Sequence, residues 1–369
     1  MAKGYIGIDG KARKLKAIFV GVDGKARSVK KVYVGVNGKA RLCWKKPGLY
    51  KYDGSVRKLT TARNLLSATA VGDYALFGGG NKGAYSRYST VDAYNSSLTK
   101  TNVNSLSEEK QDLAATTVGN YALFGGGNDG SAKSSVDAYD PSLTKTTTNL
   151  RKTGYDLAAT TVGNYALFTG GMNTGGEIVT AFDSSLTRTD APNLSEDRCW
   201  LAATTVGNYA LFGGGGSLVS AVVDAYDSYL TRTTATKLSQ KRKNLAATTV
   251  GNYALFGGGC YGSNDKNYVS TIDAYSSSLT RTTATSLSTS RYYLAATGVG
   301  DYALFGGGRT KDTPLSTVDV YDSSLTRTTA TKLNEARAYL AATAVGNYAL
   351  FGGGLSSSSK SATVDAYEI

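Results

Sequence analysis

The chain has 369 residues, with 41 lysines and arginines against 28 aspartates and glutamates, no histidine and three cysteines. The lack of histidine excludes Ser-His-Asp and Cys-His catalysis and histidine-based metal sites. Cys43, Cys199 and Cys260 are odd in number and have no metal-ligand spacing, which argues against a disulfide framework.

The charge is uneven. Residues 1–46 hold ten lysines, three arginines and two aspartates, a net +11, and the other residues are near neutral at +2. A basic chain suggests nucleic acid, but here the charge sits in the leader, so nucleic acid is disfavoured as a partner. The start, MAKGYIGIDG, has no apolar stretch of the kind that directs export, and no run approaches the roughly 18 apolar residues of a membrane span. Neither a signal peptide nor a membrane span is expected.

Residues 3–44 repeat three times with a period of 14: KGYIGIDGKARKLK, AIFVGVDGKARSVK and KVYVGVNGKARLCW. Asp9-Gly10, Asp23-Gly24 and Asn37-Gly38 signal type I′ turns, because both central residues need positive φ. The spacing predicts three successive hairpins. A module of this size with one thin apolar stripe rarely supplies a sufficient core, so packing on other chains, and an oligomer, is expected. Its lysines serve equally well as edge-strand protection. Lys45-Lys46-Pro47-Gly48 reads as a linker, giving a hairpin module at 1–46 and a second domain at 47–369.

The second domain is a seven-fold repeat. The segment at 201–215, LAATTVGNYALFGGG, recurs in near-identical form with its phenylalanine at Phe77, Phe124, Phe168, Phe212, Phe256, Phe305 and Phe351, spaced by 44 to 49 residues. That period with strand patterning is the signature of a β-propeller. Each repeat reads as four strands: LAATTV, YALFGG, a VDAY segment, and a threonine-rich fourth after a Ser-Leu-Thr turn. The last repeat stops at Ile369 after its VDAY segment, whereas residues 53–59 resemble an orphan fourth strand ahead of the first repeat. The N-terminal piece is expected to complete the seventh blade and close the ring, which removes exposed sheet edges.

The turns between first and second strands, and between third and fourth, are nearly fixed among the repeats. The other two connections vary. Antiparallel pairing places the fixed turns on one face and the variable connections on the other. The variable face carries Arg63, Asn64, Tyr85, Tyr88, Gln111, Asp112, Tyr155, Asp156, Arg198, Trp200, Lys243, Asn244, Tyr261, Arg291, Tyr292, Tyr293, Arg309, Arg337 and Tyr339. Rigid aromatics among adaptable polar groups suit a binding surface; relaxed constraint on surface loops is the plainer explanation. The uniform face carries Lys100, Lys145, Arg188, Arg232, Arg281 and Arg327. These read as solvated strand starts paired with Asp140, Asp227 and Asp322, rather than as an anion-binding ring.

The di-glycine after an apolar second strand, the tyrosine of the third strand, and an arginine shortly before the first strand (Arg63, Arg198, Arg242, Arg291, Arg337) resemble the kelch repeat family over residues 49–369. Kelch repeats usually carry tryptophan in the fourth strand, where this chain has Thr146, Thr233, Thr282 and Thr328; that departure resembles a bacterial and phage branch. The leader resembles hairpin modules of phage and prophage structural proteins. The expected fold is therefore all-β: a seven-bladed kelch-like β-propeller, closed by an N-terminal strand and preceded by a small β-hairpin repeat module.

Enzyme readings are poorly supported. Kelch-type copper oxidases need histidine ligands, and the Asp-box motifs of propeller sialidases are absent. A carboxylate pair for glycoside hydrolysis could in principle come from Asp112 and Asp156 on adjacent repeats, but two loop aspartates among 28 acidic residues are a weak signal. Cys199 and Cys260 lack a base. The expectation is a non-enzymatic virion protein, tail- or fibre-like, made in the bacterial cytoplasm, with no cofactor or metal. Residues 1–46 would attach to other virion proteins, and the variable face would bind a host-surface receptor, glycan or protein. An intracellular bacterial scaffold using the same face for a protein partner is the alternative.

Overall fold

The computed structural model describes residues 5–8, 11–14, 18–22, 25–29, 31–36, 39–45, 48–52, 54–83, 86–172, 175–262 and 267–369, with the side chains of residues 5–45 outside the description except Val32. The chain divides into two compact units, Met1–Leu49 (with Ile369) and Tyr50–Glu368. The first contains three antiparallel two-stranded sheets, pairing Tyr5–Ile8 with Lys11–Lys14, Ile18–Val22 with Lys25–Val29, and Lys31–Val36 with Lys39–Lys45. The Asp-Gly and Asn-Gly turns predicted between them lie outside the described residues.

The second unit is a seven-bladed β-propeller. In the fourth blade Ala202–Val206, Tyr209–Gly213, Val223–Tyr226 and Arg232–Thr234 pair in order as an antiparallel sheet. The second and third blades join into one seven-stranded sheet, because the strand Lys145–Val162 serves as the fourth strand of one and the first of the next. The seventh blade takes its outer strand from the other end of the chain. That strand is Tyr50–Lys51, paired to Val364–Glu368, a few residues before the stretch at 53–59 that the sequence suggested.

Strand patterning follows from packing. The second and third strands are buried on both faces and read as apolar runs, whereas the first strand alternates between the blade interface and the axial channel. Within blades, phenylalanine and the third-strand aromatic meet edge to face, as in Phe212–Tyr226 at 5.9 Å and Phe168–Phe182 at 6.2 Å. Between blades, the glycine after that phenylalanine admits the next ring: a Cβ at Gly78 would lie 2.9 Å from Phe124. The uniform face is uniform for the same reason. A Cβ at the turn glycine Gly119 would lie 2.7 Å from Ser184 in the third-to-fourth turn of the next blade. The two fixed turns pack on each other.

The arginines that precede the first strands do not reach the variable face. Arg63, Arg198, Arg242, Arg291 and Arg337 are among the largest fully buried side chains, 0 to 1% exposed. Each pairs with the third-strand aspartate of its own blade: Asp92, Asp224, Asp273, Asp319 and Asp365. Lys110 does the same for Asp137. Burial pulls each arginine below its ordinary pKa, and the opposing aspartate counters it. Arg63, Arg198, Arg291 and Arg337 are thus framework, because an uncompensated charge in this interior would be prohibitive.

The cations of the fourth strands close the same hub from outside. Lys100, Lys145, Arg232, Arg281 and Arg327 pair with Asp92, Asp137, Asp224, Asp273 and Asp319 at 2.6 to 3.7 Å. Lys51 supplies that contact for Asp365 at 2.9 Å. Asp140, Asp227 and Asp322 instead accept backbone N–H groups within their own turns, for example Ser142 and Thr144 to Asp140 at 2.9 Å. The expected surface pairing is therefore replaced by a buried one.

The third blade omits the hub entirely. Gly154 stands where the arginine would be, Thr180 where the aspartate would be, and Thr180 Oγ1 accepts the Arg151 N–H at 3.2 Å. Arg188 reaches the Asn149 carbonyl at 3.3 Å instead. A void of about 20 Å³, lined in part by Leu150, Phe168, Ile178 and Thr180, occupies the space. Both charges are absent together, as expected when either alone would be left buried and unpaired.

That pairing yields a test in the fifth blade. Asp273→Thr alone strands Arg242 and is expected to cost about 3–5 kcal/mol by chemical denaturation. The double variant Arg242→Gly/Asp273→Thr, which reproduces the third blade, is expected to cost clearly less. Additive losses would contradict the pairing argument.

Candidate functional site

Seven residues, one per blade, precede the leucine that leads into the LAATTV-type stretch: Leu65, Asp112, Asp156, Trp200, Asn244, Tyr293 and Tyr339, of which Asp156 lies within the continuous strand Lys145–Val162. All seven have left-handed backbones, with φ between 52° and 58°. Each donates its N–H to the carbonyl of its counterpart one blade back: Asp112 to Leu65, Asp156 to Asp112, Trp200 to Asp156, Asn244 to Trp200, Tyr293 to Asn244, Tyr339 to Tyr293 and Leu65 to Tyr339. These bonds span 2.9 to 3.2 Å and run from blade to blade around the axis. Left-handed φ is unfavourable for most side chains, and this belt of hydrogen bonds offsets the strain. Glycine would satisfy the backbone at any of the seven positions, yet none is glycine.

Their side chains line a cavity of about 320 Å³ at the axis, floored by a ring of leucines that includes Leu113, Leu201 and Leu294. Below those leucines the channel continues past the small first-strand residues, Ala114 and Ala202 among them, as a second space of about 240 Å³. Small residues on the inner strands keep the channel open, and the leucines separate it from the mouth.

The mouth is chemically divided. Asp112 and Asp156 lie on neighbouring blades. Asp112 accepts from Gln111 Nε2 at 2.7 Å and Asn128 Nδ2 at 3.2 Å. Burial nonetheless raises its pKa, opposed by those hydrogen bonds and the charge of Arg87. Asp156 is pushed up to about 7, by burial first and the Asp112 charge second, against a hydrogen bond from the Trp200 indole. Trp200, Tyr293 and Tyr339 form the aromatic arc. Tyr293 and Tyr339 lie 4.1 Å apart, and the run continues outward through Tyr292 at 4.9 Å and Tyr268 at 6.1 Å. Lys243 sits over the Trp200 ring at 4.5 Å. Among the described residues, no lysine or arginine lines the cavity.

The remaining residues expected on this face are distributed differently. Asn64, Gln111, Lys243 and Tyr292 form bridges to the start of the loop between second and third strands in their own blades, and Tyr155 pairs with Met172. Asn64, Gln111 and Tyr292 are buried, so they support the mouth rather than present themselves. Tyr88, Tyr261 and Arg309 are half-buried in the outer loops. Lys82 lies over Tyr88 at 5.7 Å, Tyr261 pairs with Asn267, and Arg309 donates to the Thr310 and Lys311 carbonyls. Tyr85 lies outside the described residues. Arg63, Arg198, Arg291 and Arg337 belong to the interior. Leu65 and the leucine floor were not among the residues expected on this face, because a leucine next to an apolar repeat carries no signal that separates an axial lining from a core.

Cys199, buried beside this site, has its thiol pushed up to about 11 by burial and the Asp156 charge, partly countered by Lys243. It is a poor nucleophile at neutral pH. Among the described residues no three metal-ligating side chains converge, and no helix is long and apolar enough to cross a membrane.

No protein-family model matches the chain, and no curated protein matches it. Among solved structures, that of YjhT is similar, with 12% identity and a TM-score of 0.60 over 75% of this chain and 99% of that one. At that identity the likeness speaks for the fold alone.

The raised Asp156 carboxyl sets a pH dependence. An unfolded aspartate titrates near 3.9, so between about pH 4 and 7 the folded state keeps a proton that the unfolded state gives up. Stability therefore declines as pH rises through that window and levels above it. Asp156→Asn is expected to melt higher than the parent at pH 8, with the difference closing near pH 4. Equal melting curves at both pH values would contradict the assignment.

Proposed function

We propose that this protein is a non-enzymatic component of a phage or prophage particle, tail- or fibre-like, and that the axial mouth of its kelch-like propeller binds a host-surface receptor. The observation that carries the reading is the contrast at the mouth. Seven positions share one strained backbone conformation and one hydrogen-bond pattern, yet they carry Leu65, Asp112, Asp156, Trp200, Asn244, Tyr293 and Tyr339. A repeat that preserves backbone and diversifies side chains in one place is building a surface, and a cavity of about 320 Å³ lies at the small end of ligand pockets. The aromatic arc with carboxylate and amide acceptors favours a glycan, since ring faces stack on apolar sugar faces and the acceptors take hydroxyl protons.

The leader supports attachment. It is a separate compact unit of repeated hairpins, with a net charge of +11 over residues 1–46. Isolated two-stranded hairpins are marginal alone, so assembly with other virion proteins would provide the missing packing.

Immunoblotting of purified particles tests the first half, and the protein is expected to co-purify with them. Particles carrying Trp200→Ala with Tyr339→Ala are expected to lose at least tenfold in host adsorption while the propeller remains folded by circular dichroism. Absence from particles, or unchanged adsorption, would overturn the proposal.

A further inference from the structure

The mouth has a polarity that the general reading leaves unused. We infer that the axial cavity is selective for a sugar bearing a free, protonated amine, with the ammonium group held by Asp112 and Asp156 and the ring laid against Trp200, Tyr293 and Tyr339. This rests on the proposal that the mouth binds a glycan, and it names the class.

Four observations converge on it. The first is the cavity itself, about 320 Å³ on the axis, a size suited to a single sugar ring. The second is the pair of carboxylates on adjacent blades with no ion pair among the described residues. Each of the six buried third-strand aspartates has two lysine or arginine partners, but Asp112 and Asp156 have only hydrogen-bond donors among the described residues: Gln111, Asn128 and the Trp200 indole.

The third is Asn244, more than nine-tenths buried and lining the same cavity. Its amide nitrogen reaches only the Cys260 sulfur, at 3.6 Å, and no described residue donates to its carbonyl oxygen. The fourth is the set of aromatic rings at the mouth, Trp200 beside Asp156 and Tyr293 and Tyr339 farther round the belt, whose faces attract both the C–H face of a pyranose and a nearby cation.

Among the described residues two carboxylates and no cationic side chain line the space. A carboxylated sugar would meet two carboxylates with no counter-charge. A neutral sugar would supply hydroxyl donors but leave the carboxylate repulsion in place. An ammonium group relieves that repulsion and donates three hydrogen bonds from one atom. The chain uses the same logic in its interior, where, among the described residues, no fully buried carboxylate lacks a cation; at the mouth the ligand supplies the cation.

The titratable groups around the pair are consistent with this. Asp156 faces the Asp112 charge, Tyr155 and Cys199 face Asp156, Arg87 acts on Asp112, and Lys243 acts on Cys199. Lys243 is engaged on Trp200, and Arg87 has partners of its own.

Calorimetric titration of the full-length protein with glucosamine, glucose, N-acetylglucosamine and glucuronic acid tests the inference at a pH where glucosamine is charged. Glucosamine is expected to bind at least tenfold more tightly than the other three. Asp112→Asn and Asp156→Asn should each reduce that preference about tenfold, and Trp200→Ala should weaken binding of every sugar. The Asn variants remove a repulsion, so folding is expected to survive them. If N-acetylglucosamine or glucuronic acid binds best, in a Trp200-dependent manner, the amine selectivity is wrong while the glycan-binding mouth stands. If glucosamine is preferred but Asp112→Asn and Asp156→Asn leave the preference intact, the carboxylate assignment is overturned. If no sugar binds and the Trp200 particle variant adsorbs normally, both readings fall.

Discussion

A carboxylate withdrawn from water needs matching charge and hydrogen bonds, and the third-strand aspartate meets that need in six blades with the same partners. Asp224 is representative. It pairs with Arg198 from the linker, with Arg232 from the outer strand at 3.0 Å, and with Ser195 at the start of the linker turn. The hub therefore pins the linker from the preceding blade to the sheet it enters. The third-strand tyrosine adds a second pin, as Tyr226 donates to the Pro192 carbonyl at 2.8 Å. Two residues beyond the arginine comes the mouth residue, whose left-handed backbone is held by the fixed linker. In six blades the hub thus anchors the linker that leads into the mouth.

The third blade shows how far this scheme can be edited. Loss of both charges replaces the hub with Thr180, and Phe182 stands where five blades place a tyrosine hydroxyl on a linker carbonyl. The linker there runs as continuous strand through Lys145–Val162. Even so, Asp156 keeps its place in the belt. The ladder of strand pairing substitutes for the electrostatic pin, and the mouth geometry survives.

Seven-fold repetition made the blade count, strand order and variable connections readable from the sequence alone. Internal comparison also picked out Asp112, Asp156, Trp200, Asn244, Tyr293 and Tyr339, because they interrupt an otherwise constant stretch. The same comparison misled at Arg63, Arg198, Arg291 and Arg337. They occupy a loop next to variable residues, and sequence proximity does not say that a long side chain turns inward to a carboxylate about 26 to 29 positions away. It also assigned the outer cations to the wrong aspartates. Asp140 and Asp322 lie nearer in sequence, but Asp137 and Asp319 lie diagonally across the ladder, two residues from Tyr139 and Tyr321, which face Lys145 and Arg327.

Local sequence determined what depends on local chemistry: alternation for strands, Gly-Asn turns, and a period that sets the blades. Tertiary structure decided what depends on the cost of burying charge and on convergence at an axis. Only the folded ring shows that a linker arginine, or Lys110 in the second blade, and a third-strand aspartate neutralise one another in six of the seven blades. Only the ring brings Asp112, Asp156, Trp200, Asn244, Tyr293 and Tyr339 together, although more than two hundred residues of sequence separate the first from the last. Each is one residue in its own repeat, and a cavity exists only where the blades meet.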